Sequence, residues 1–169
     1  MVADFGNDFT IRPVTEAEAG ILTGIHEECF PRYWNRRAFT DFFTVKNTFA
    51  LLVEELNNAG AAIAMMVYRV AFEQADVLTI AVLPKWRRRG IAKLLVEQLL
   101  KDCRESGVKE IFLEVEDGNI AGLKLYEQAG FKNISRRKLY YQQLDGSLTD
   151  ALVMAKRLDT VRKDGAKPV

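Results

Sequence analysis

The spacing of hydrophobic residues changes near residue 48, from a helical period of three to four residues to the alternation typical of strands. Before that point an alternating strand is predicted at residues 9–13, and Thr15 and Glu18 after it have the spacing of a helix-capping box. A helix ending near Cys29 is predicted to follow. Its predicted core-facing positions are Ile21, Leu22, Ile25 and Cys29.

The rest of the chain predicts a meander of strands that is interrupted by helices. The strands fall at residues 48–54, 61–70, 75–82, 110–116, 132–140 and 151–157, with a turn at residues 57–60. The strongest helical stripe covers residues 90–105, and a shorter helix is predicted at residues 120–128. This order of strands and helices predicts a mixed α/β domain.

The composition is that of one ordinary globular domain without a strong charge bias. The 169 residues are 49% hydrophobic and 28% charged, and 24 basic against 23 acidic residues give a net charge of +1. This balance predicts no general attraction to nucleic acid or to an anionic membrane. We expect a single domain over residues 1–158 and a flexible, charged tail at residues 159–169. Because no signal-peptide pattern and no run of roughly 20 apolar residues is present, a cytoplasmic location is expected.

The two cysteines and the single histidine form no recognisable ligand cluster. Cys29 and Cys103 are far apart, which argues against a disulfide framework and fits a reducing compartment. His26 precedes Cys29 by three residues, a spacing that would place two metal ligands on neighbouring helical positions. Since no second pair of ligands accompanies them, a packing or surface histidine is the favoured interpretation, and no metal is expected.

A cationic turn lies between an apolar strand and the strongest predicted helix, in the stretch Ile80, Ala81, Val82, Leu83, Pro84, Lys85, Trp86, Arg87, Arg88, Arg89, Gly90, Ile91, Ala92 and Lys93. The first turn of that helix contains no acidic residue, so its free N–H groups and the positive end of the helix dipole attract anions. Arg87, Gly90 and Ala92 fit the pattern R-x-x-G-x-A, in which glycine lets a ligand approach the backbone closely. A solvated basic turn is the alternative, and the placement favours an anion site.

Three further groups could carry chemistry or could simply pack. Glu114 is predicted to lie on the opposite strand face from the apolar residues, where a carboxylate is either solvent-exposed and idle or functional. Tyr126 in the next helix is, on its own, better explained as a packed tyrosine. The aromatic segment around Trp34 precedes a predicted helix that Asn35 caps and that runs through Phe43. This segment either walls a substrate pocket or packs on the sheet.

Together these motifs resemble the GNAT superfamily of acyl-CoA-dependent N-acetyltransferases, most densely over residues 78–154. The motifs are Ile80-Ala81-Val82, Arg87-Arg88-Arg89-Gly90-Ile91-Ala92, Leu113-Glu114-Val115, Asn119, Leu125-Tyr126-Glu127, Gly130-Phe131, Arg136-Arg137 and Tyr140-Tyr141. More narrowly, the chain looks like the branch of that family that acetylates the N-terminal alanine of a ribosomal protein. The resemblance implies a mixed, mainly antiparallel twisted sheet of six to seven strands that is flanked by about four helices.

The resemblance implies acetyl-CoA as the cosubstrate and assigns it a binding site. The backbone of Ile80, Ala81 and Val82 would pair with the pantetheine arm, and Asn119 would contact the cofactor further along. The residues that would surround the pyrophosphate are Arg87, Arg88, Arg89, Gly90, Ile91, Ala92 and Lys93. Ala92 stands where glycine is common in the family, and the family pattern tolerates this change.

The resemblance also implies the catalytic and acceptor residues. Glu114 would be the general base, acting through water, and Tyr126 would be the general acid that protonates the departing thiolate. Trp34, Tyr140 and Tyr141 would shape the acceptor site. These residue types suit the chemistry, because an α-amine with a pKa of about 7.7 to 8.0 needs little help to lose its proton. A lysine acceptor, with a pKa of about 10.4, needs more.

Three functions remain open on the sequence. The leading hypothesis is N-α-acetylation of a protein, most specifically of the N-terminal alanine of a small-subunit ribosomal protein. A second is acetylation of a small-molecule amine or a lysine side chain by the same fold. A third is a non-catalytic acyl-CoA-binding module, against which the presence of both Glu114 and Tyr126 argues. Direct binding of nucleic acid is weaker still, because no wider basic stripe accompanies the cationic turn.

Overall fold

One eight-stranded sheet is the framework of the chain. The structure, a computed structural model, describes residues 3–4, 9–56 and 60–159. The strands are β1 (Ala3–Asp4), β2 (Phe9–Pro13), β3 (Thr48–Glu55), β4 (Ala61–Ala71), β5 (Gln74–Val82), β6 (Glu110–Glu116), β7 (Lys132–Gln142) and β8 (Leu148–Arg157). The helices are α1 (Ala19–Cys29), α2 (Arg36–Thr44), α3 (Ile91–Glu105) and α4 (Ile120–Gln128), with 3-10 turns at Glu16–Glu18 and Pro84–Trp86.

The sheet is mixed and mainly antiparallel, which confirms the predicted fold class. Its strands lie in the order β1-β2-β3-β4-β5-β6-β8-β7, and among these neighbours β5 and β6 form the one parallel pair. Seven strands have five or more residues, and the two-residue β1 adds to them. Four α-helices accompany the sheet, as predicted. Within the described ranges, no helix is both long and apolar enough to cross a membrane.

Most element boundaries agree with the sequence predictions. The bounds of β2, β6 and α4 are as predicted, whereas β7 extends two residues further and β8 begins three residues earlier. The sequence did not predict β1 or the 3-10 turn at Pro84–Trp86. The capping box of Thr15 and Glu18 is present, but it caps the 3-10 turn that leads into α1. Residues 57–59 of the predicted turn and residues 160–169 of the predicted tail lie outside the described residues.

Two apolar cores lie on the two faces of the sheet. Leu95 of α3 and Tyr126 of α4 belong to one core, and Leu22 of α1 and Phe39 of α2 belong to the other. Consecutive residues of β3 and β4 alternate between the two cores because successive strand side chains point to opposite faces. Burial on both faces explains why the central strands are continuously apolar. One helical prediction was wrong, since Ile21 is exposed on the outer side of α1.

The feature that positions the functional site is the divergence of β5 and β6. These strands pair only from Gln74↔Glu110 to Val77↔Leu113, although each continues beyond that point. On the other side of β5, the register with β4 shifts so that Leu78 is an extra residue between Val77 and Thr79. Such a bulge bends its strand and disrupts the local ladder. The bulge coincides with the end of the β5–β6 pairing, and a cleft opens between the two strands.

The hairpin between β4 and β5 supplies a test of backbone strain. Phe72 has φ 55° and its side chain is fully exposed, so it gains no packing for adopting a left-handed conformation. Asparagine tolerates this conformation better. We expect Phe72→Asn to raise the free energy of unfolding by about 0.5–1 kcal/mol in denaturant titrations.

A matched control separates strain from the loss of an exposed aromatic. Phe49 of β3 is 44% exposed and stacks on Tyr68 in ordinary strand geometry. Phe49→Asn is expected to lower the free energy of unfolding. If Phe72→Asn lowers it as well, the left-handed residue is not a source of strain.

Candidate active site

The inner edge of β5 beyond the divergence is a row of backbone groups without a strand partner. Residues 79–82 pair with β4 on one side, while the described part of β6 pairs with β5 only as far as Val77↔Leu113. An unpaired strand edge of this kind binds extended ligands by adding them as a strand. The carbonyl of Val82, at the end of this edge, already accepts a hydrogen bond from Arg87 Nε at 3.1 Å. Cys29 Sγ lies 3.3 Å from the same carbonyl oxygen.

The cationic turn that follows β5 has the backbone geometry of an anion site. Arg88 and Gly90 have positive φ angles of 64° and 81°, a conformation that is uncommon for arginine and easy for glycine. Gly90 is the N-cap of α3 and provides no side-chain cap, and the first turn contains no acidic residue. The helical hydrogen bonds begin with Leu94 N–H donating to the Gly90 carbonyl at 3.1 Å. The N–H groups of residues 91–93 therefore point out of the helix end, where they are available to an anion.

The cationic side chains of the turn are exposed, and two of them, besides Arg87, have side-chain partners. Arg89 stacks over the Trp86 ring, with 4.7 Å between its guanidinium carbon and the ring centroid. Lys93 lies 3.6 Å from Glu97 on the surface of α3. Trp86 itself packs edge-on against Phe9 and anchors the turn to the sheet. The turn and the N-terminus of α3 thus form one continuous feature, with its arginines on the solvent side.

On the other side of the divergence lies a cavity of about 560 Å³. Its lining residues are Trp34, Phe42, Arg69, Asp76, Val77, Leu78, Phe112, Leu113, Glu114, Arg137, Tyr140, Tyr141 and Val153. Four residues singled out from the sequence, Trp34, Glu114, Tyr140 and Tyr141, are brought together here. The cavity reaches Val77 and Leu78, where the open edge of β5 begins. A ligand along that edge and a second ligand in the cavity would therefore meet near Glu114.

Glu114 is partly buried and is surrounded by charged and aromatic groups. Its Oε1 lies 2.9 Å from Nη1 of Arg137, an ion pair with side-chain exposures of 25% and 56%. Asp76 shares its face, because Asp76 is opposite Phe112 and Glu114 lies two residues further along β6. Burial, opposed by Arg69 and assisted by the charge of Glu114, raises the pKa of Asp76.

Glu114 contributes to raising the pKa of two adjacent tyrosines, Tyr140 and Tyr141. Hydrogen bonding to Glu114 and then burial raise the pKa of Tyr140 above its ordinary value. Burial, with a smaller contribution from Glu114, raises the pKa of Tyr141 to about 12. The rings of Tyr140 and Tyr141 meet edge to face at 5.1 Å between centroids. Both hydroxyls therefore stay protonated near neutral pH and act there as hydrogen-bond donors.

Tyr126 is separate from the lining of this cavity. It is buried in α4, its ring contacts Phe131 edge to face, and burial followed by the charge of Tyr141 raises its pKa above the usual value of a tyrosine. In the described part of the chain, no other side chain forms a hydrogen bond with its hydroxyl. Tyr141 lines the cavity and influences the pKa of Tyr126, whereas Tyr126 itself is not one of the lining residues. Its packing agrees with a structural role and leaves its hydroxyl proton in place.

Asn119 is placed as a helix cap. Its Oδ1 accepts a hydrogen bond from Gly122 N–H at 2.9 Å at the start of α4. A side chain at position 122 would collide with Asn119, whose amide nitrogen lies 2.8 Å from the place of a Cβ. The local sequence therefore fixes the orientation of the Asn119 side chain. It also fixes the start of α4, which follows the end of β6.

His26 supports the wall of the cavity from behind. It is 3% exposed, and its Nδ1 accepts a hydrogen bond from the backbone N–H of Trp34 at 3.1 Å. The imidazole stacks on the Trp34 ring, with 4.9 Å between centroids, and contacts Phe30 and Phe39. His26 is therefore a packing residue, as the sequence favoured. It also explains how Trp34 belongs both to the packing and to the cavity.

Sequence reasoning missed three charged residues of the cavity, Arg69, Asp76 and Arg137, as candidates for function. Asp76 and Arg69 are directly opposite on β5 and β4, a pairing that depends on strand register. Arg137 stands in the Arg136-Arg137 motif, which the resemblance included without a role. The alternation of β7 gives no clear signal for it, because the register of β7 shifts between Arg137 and Tyr141.

Comparison with known proteins identifies the family. The model of the acetyltransferase (GNAT) family matches residues 20–131, so the chain belongs to this family. It is an acyltransferase enzyme of the N-acetyltransferase class. The matched range contains the open strand edge, the cationic turn, Glu114 and Tyr126.

Several characterised proteins are similar to this chain. The [ribosomal protein bS18]-alanine N-acetyltransferase of Escherichia coli K12 is 35% identical over 101 residues, which cover 60% of this chain and 68% of that one. An N-alpha-acetyltransferase of Saccharolobus solfataricus is 29% identical over 166 residues, covering 92% and 96%. The crystal structure of the E. coli ribosomal-protein-S18-alanine N-acetyltransferase superposes with a TM-score of 0.83 at 24% identity, covering 94% and 99%. This last likeness shows that the fold is shared.

The buried histidine gives a prediction for the stability of the cavity wall. Burial lowers the pKa of His26 to about 4, whereas the unfolded chain has a histidine pKa of about 6.5. Between these values the unfolded chain binds a proton that the folded chain does not, so stability falls as the pH drops through this window. The contribution of His26 is expected to fall by about 2 kcal/mol between pH 7.5 and pH 5.

This prediction is checked by denaturant unfolding at both pH values. His26 is the only histidine, so no other imidazole contributes. His26→Asn retains an acceptor for the Trp34 N–H and should flatten the pH dependence while lowering stability at pH 7.5. An unchanged pH dependence in the variant would show that the pKa of His26 is the same in the folded and the unfolded protein.

Proposed function

We propose that this protein is an acetyl-CoA-dependent N-α-acetyltransferase that acetylates the N-terminal residue of a protein, specifically the alanine of a small-subunit ribosomal protein. The observation that carries this proposal is the divergence of β5 and β6. It brings an open strand edge and the cationic turn next to a cavity that contains the Glu114 carboxylate. The 35% identical E. coli relative, named for alanine N-acetylation of ribosomal protein bS18, supports the choice of acceptor. Such an acceptor would place the enzyme in the cytoplasm, with one catalytic domain over residues 1–158.

The proposed cofactor site follows the open edge of β5 into the cationic turn. The backbone of Ile80, Ala81 and Val82 pairs with the amide groups of the pantetheine arm as an added strand would. The pyrophosphate lies at the N-terminus of α3, where free N–H groups and the helix dipole stabilise it. Its surroundings are Arg87, Arg88, Arg89, Gly90, Ile91, Ala92 and Lys93. Asn119 lies beside the far part of the cofactor at the start of α4.

Two of these cations must change partners when the diphosphate binds. Arg89 leaves the Trp86 ring, and Lys93 exchanges Glu97 for a stronger anion. A charge-assisted hydrogen bond to phosphate is stronger than either exposed contact. The exchange is therefore favourable, and no metal is required to neutralise the diphosphate.

The proposed reaction is a direct transfer from the thioester to the amine. Glu114, through water, accepts a proton from the α-ammonium, and the free amine attacks the thioester carbonyl. The carbon–nitrogen bond forms, the carbon–sulfur bond breaks, and the coenzyme A thiolate leaves. Tyr126 donates its proton to that thiolate, a role that its protonated resting state allows. The nitrogen loses its second proton as the amide forms, and this proton restores the hydroxyl of Tyr126. The products are the amide and the free thiol of coenzyme A, and the proton held by Glu114 is released to water.

The acceptor enters through the cavity, between Trp34 and the two tyrosines of β7. Apolar lining residues such as Phe112 and Val153 suit a small first side chain such as alanine. An α-amine is deprotonated more easily than a lysine side chain, since their ordinary pKa values are about 7.7 to 8.0 and about 10.4. A partly buried carboxylate therefore suffices as the base.

The choice of acceptor is tested by thiol release from acetyl-CoA with two matched peptides. One begins with alanine and has blocked lysines, and the other has a blocked N-terminus and one free lysine. We expect turnover with the first and at least about tenfold less with the second. Acetylation confined to the lysine peptide, or to a small amine, would assign the second function that the sequence left open. No acetyl transfer, with retained acetyl-CoA binding, would indicate a non-catalytic module.

The catalytic assignments are tested with paired variants. Glu114→Gln and Tyr126→Phe are each expected to lower kcat by about 10²-fold and to leave the Kd of acetyl-CoA within about twofold. Glu116→Gln is the control for the first, because Glu116 lies on the same strand face but binds Thr149 and Gln143. Tyr68→Phe is the control for the second, because Tyr68 is a buried tyrosine that binds Asp102 away from the cavity. Wild-type rates in Glu114→Gln or Tyr126→Phe would remove the corresponding role.

A further inference from the structure

The ion pair between Arg137 and Glu114 is part of a three-residue arrangement over the cavity. Nη1 of Arg137 lies 2.9 Å from Oε1 of Glu114, and the guanidinium carbon lies 5.4 Å from the centroid of the Tyr140 ring. Tyr140 also uses Glu114 as a hydrogen-bond partner. The carboxylate is thus held by a cation and a hydroxyl, and the cation is itself supported by an aromatic ring.

An irregularity in β7 makes this arrangement possible. In a regular strand, residues 137 and 140 would point to opposite faces. Here Arg137 is opposite Ala151 and Tyr141 is opposite Thr149, so four steps along β7 match two along β8. Leu139 lies in this irregular segment with φ 52°, and its N–H donates to Asp150 Oδ1 at 3.0 Å. The bulge turns Arg137 and Tyr140 to the same side, above Glu114.

The neighbouring Arg136 shows that this placement is not a general property of the segment. Its Nη1 lies 2.7 Å from Asp117 and 3.0 Å from Asp150, and it does not line the cavity. Two consecutive arginines of one strand therefore pair with different carboxylates at different sites. The chain thus contains its own matched control for the charge at position 137.

We propose that Arg137 is a positioning residue that holds the Glu114 carboxylate in the orientation in which it faces the acceptor amine. The proposal rests on the proposed function, in which Glu114 is the base. An ion pair with a planar guanidinium fixes the rotamer of a carboxylate. Arg137 thereby aligns the base with the amine, while Tyr140 keeps the guanidinium in place.

The other charged groups that face Glu114 do not provide this function. From β5, Asp76 has a carboxyl group like that of Glu114, so it repels that carboxylate instead of holding it in place. From β4, Arg69 is directly opposite Asp76 and its Nε binds Thr48. From β7, the tyrosines remain neutral, and the cavity residue of β8 is the uncharged Val153. In the described residues, Arg137 is the cation within 4.0 Å of the Glu114 carboxylate.

The test is kcat at saturating acetyl-CoA and Ala-initiated peptide, in variants of Arg137 with and without the Glu114 carboxylate. Arg137→Gln is expected to lower kcat about tenfold and to leave the KM of the peptide and the Kd of acetyl-CoA within about twofold. Arg137→Lys should restore part of the rate, because lysine keeps the charge but lacks the planar guanidinium. In the Glu114→Gln background, Arg137→Gln should lower kcat little further, because the two residues act as a unit.

Arg136→Gln is the control and should leave kcat within about twofold of the wild type. If Arg137→Gln leaves kcat unchanged, or lowers it by the same factor in the Glu114→Gln background, the proposal is wrong, because loss of structure alone would act in both backgrounds. Should Arg137→Gln be unstable, Arg137→Lys is compared in the two backgrounds in the same way, with Arg136→Lys as its control. Failure of the proposed function is distinguishable, since Glu114→Gln would then retain wild-type turnover.

Discussion

The site depends on a hydrogen-bonding constraint. The parallel strands β5 and β6 are hydrogen-bonded to each other over their first residues only. After Val77↔Leu113, the backbone groups of β5 and β6 that would have paired face a cleft. Buried backbone donors and acceptors need partners, so this arrangement is stable only where solvent or a ligand satisfies them. β4 on one side and β8 on the other keep the two strands in the sheet. The sheet thus tolerates an internal opening because each diverging strand retains one complete ladder.

The opening also determines where the chemical groups lie. β5 leads out of the cleft into the cationic turn, and α3 begins directly after it with its N–H groups exposed. β6 carries Glu114 just beyond the last paired residue, so the carboxylate is on the wall of the same cleft. The cationic turn and the carboxylate are therefore held at a fixed position relative to each other by two strands of one sheet. The shared fold alone would not give this function, which lies in the residues placed on it.

Periodicity was sufficient to predict the elements of the fold. The apolar stripe of α3 and the alternation of β6 appear in the sequence because each element buries one face or stripe in a core. The cationic turn was also predictable as a structural feature, since its strand, turn and helix are contiguous. β1 was missed because two residues cannot show a period. Ile21 was misplaced because it lies at the edge of the stripe of α1, next to the buried Leu22.

The cavity was only partly predictable, for a different physical reason. Asp76 meets Glu114 through the register of β5 against β6, and Arg137 meets it through a bulge in β7. Register and bulges result from tertiary pairing, and a one-residue slip would move each side chain to the other face. Tyr140 and Tyr141 were found from the resemblance to a family rather than from their spacing. Residues brought together by pairing between strands thus lie beyond what periodicity along one strand reveals.

The positions of the two tryptophans have a consequence for observing the enzyme. The sequence contains only Trp34 and Trp86. Trp34 lines the cavity that contains Glu114, and Trp86 stacks under Arg89 in the cationic turn. Under the proposed function, each indole is therefore an intrinsic fluorophore for one substrate, and removing either one leaves a single-tryptophan protein whose emission reports on one half of the site.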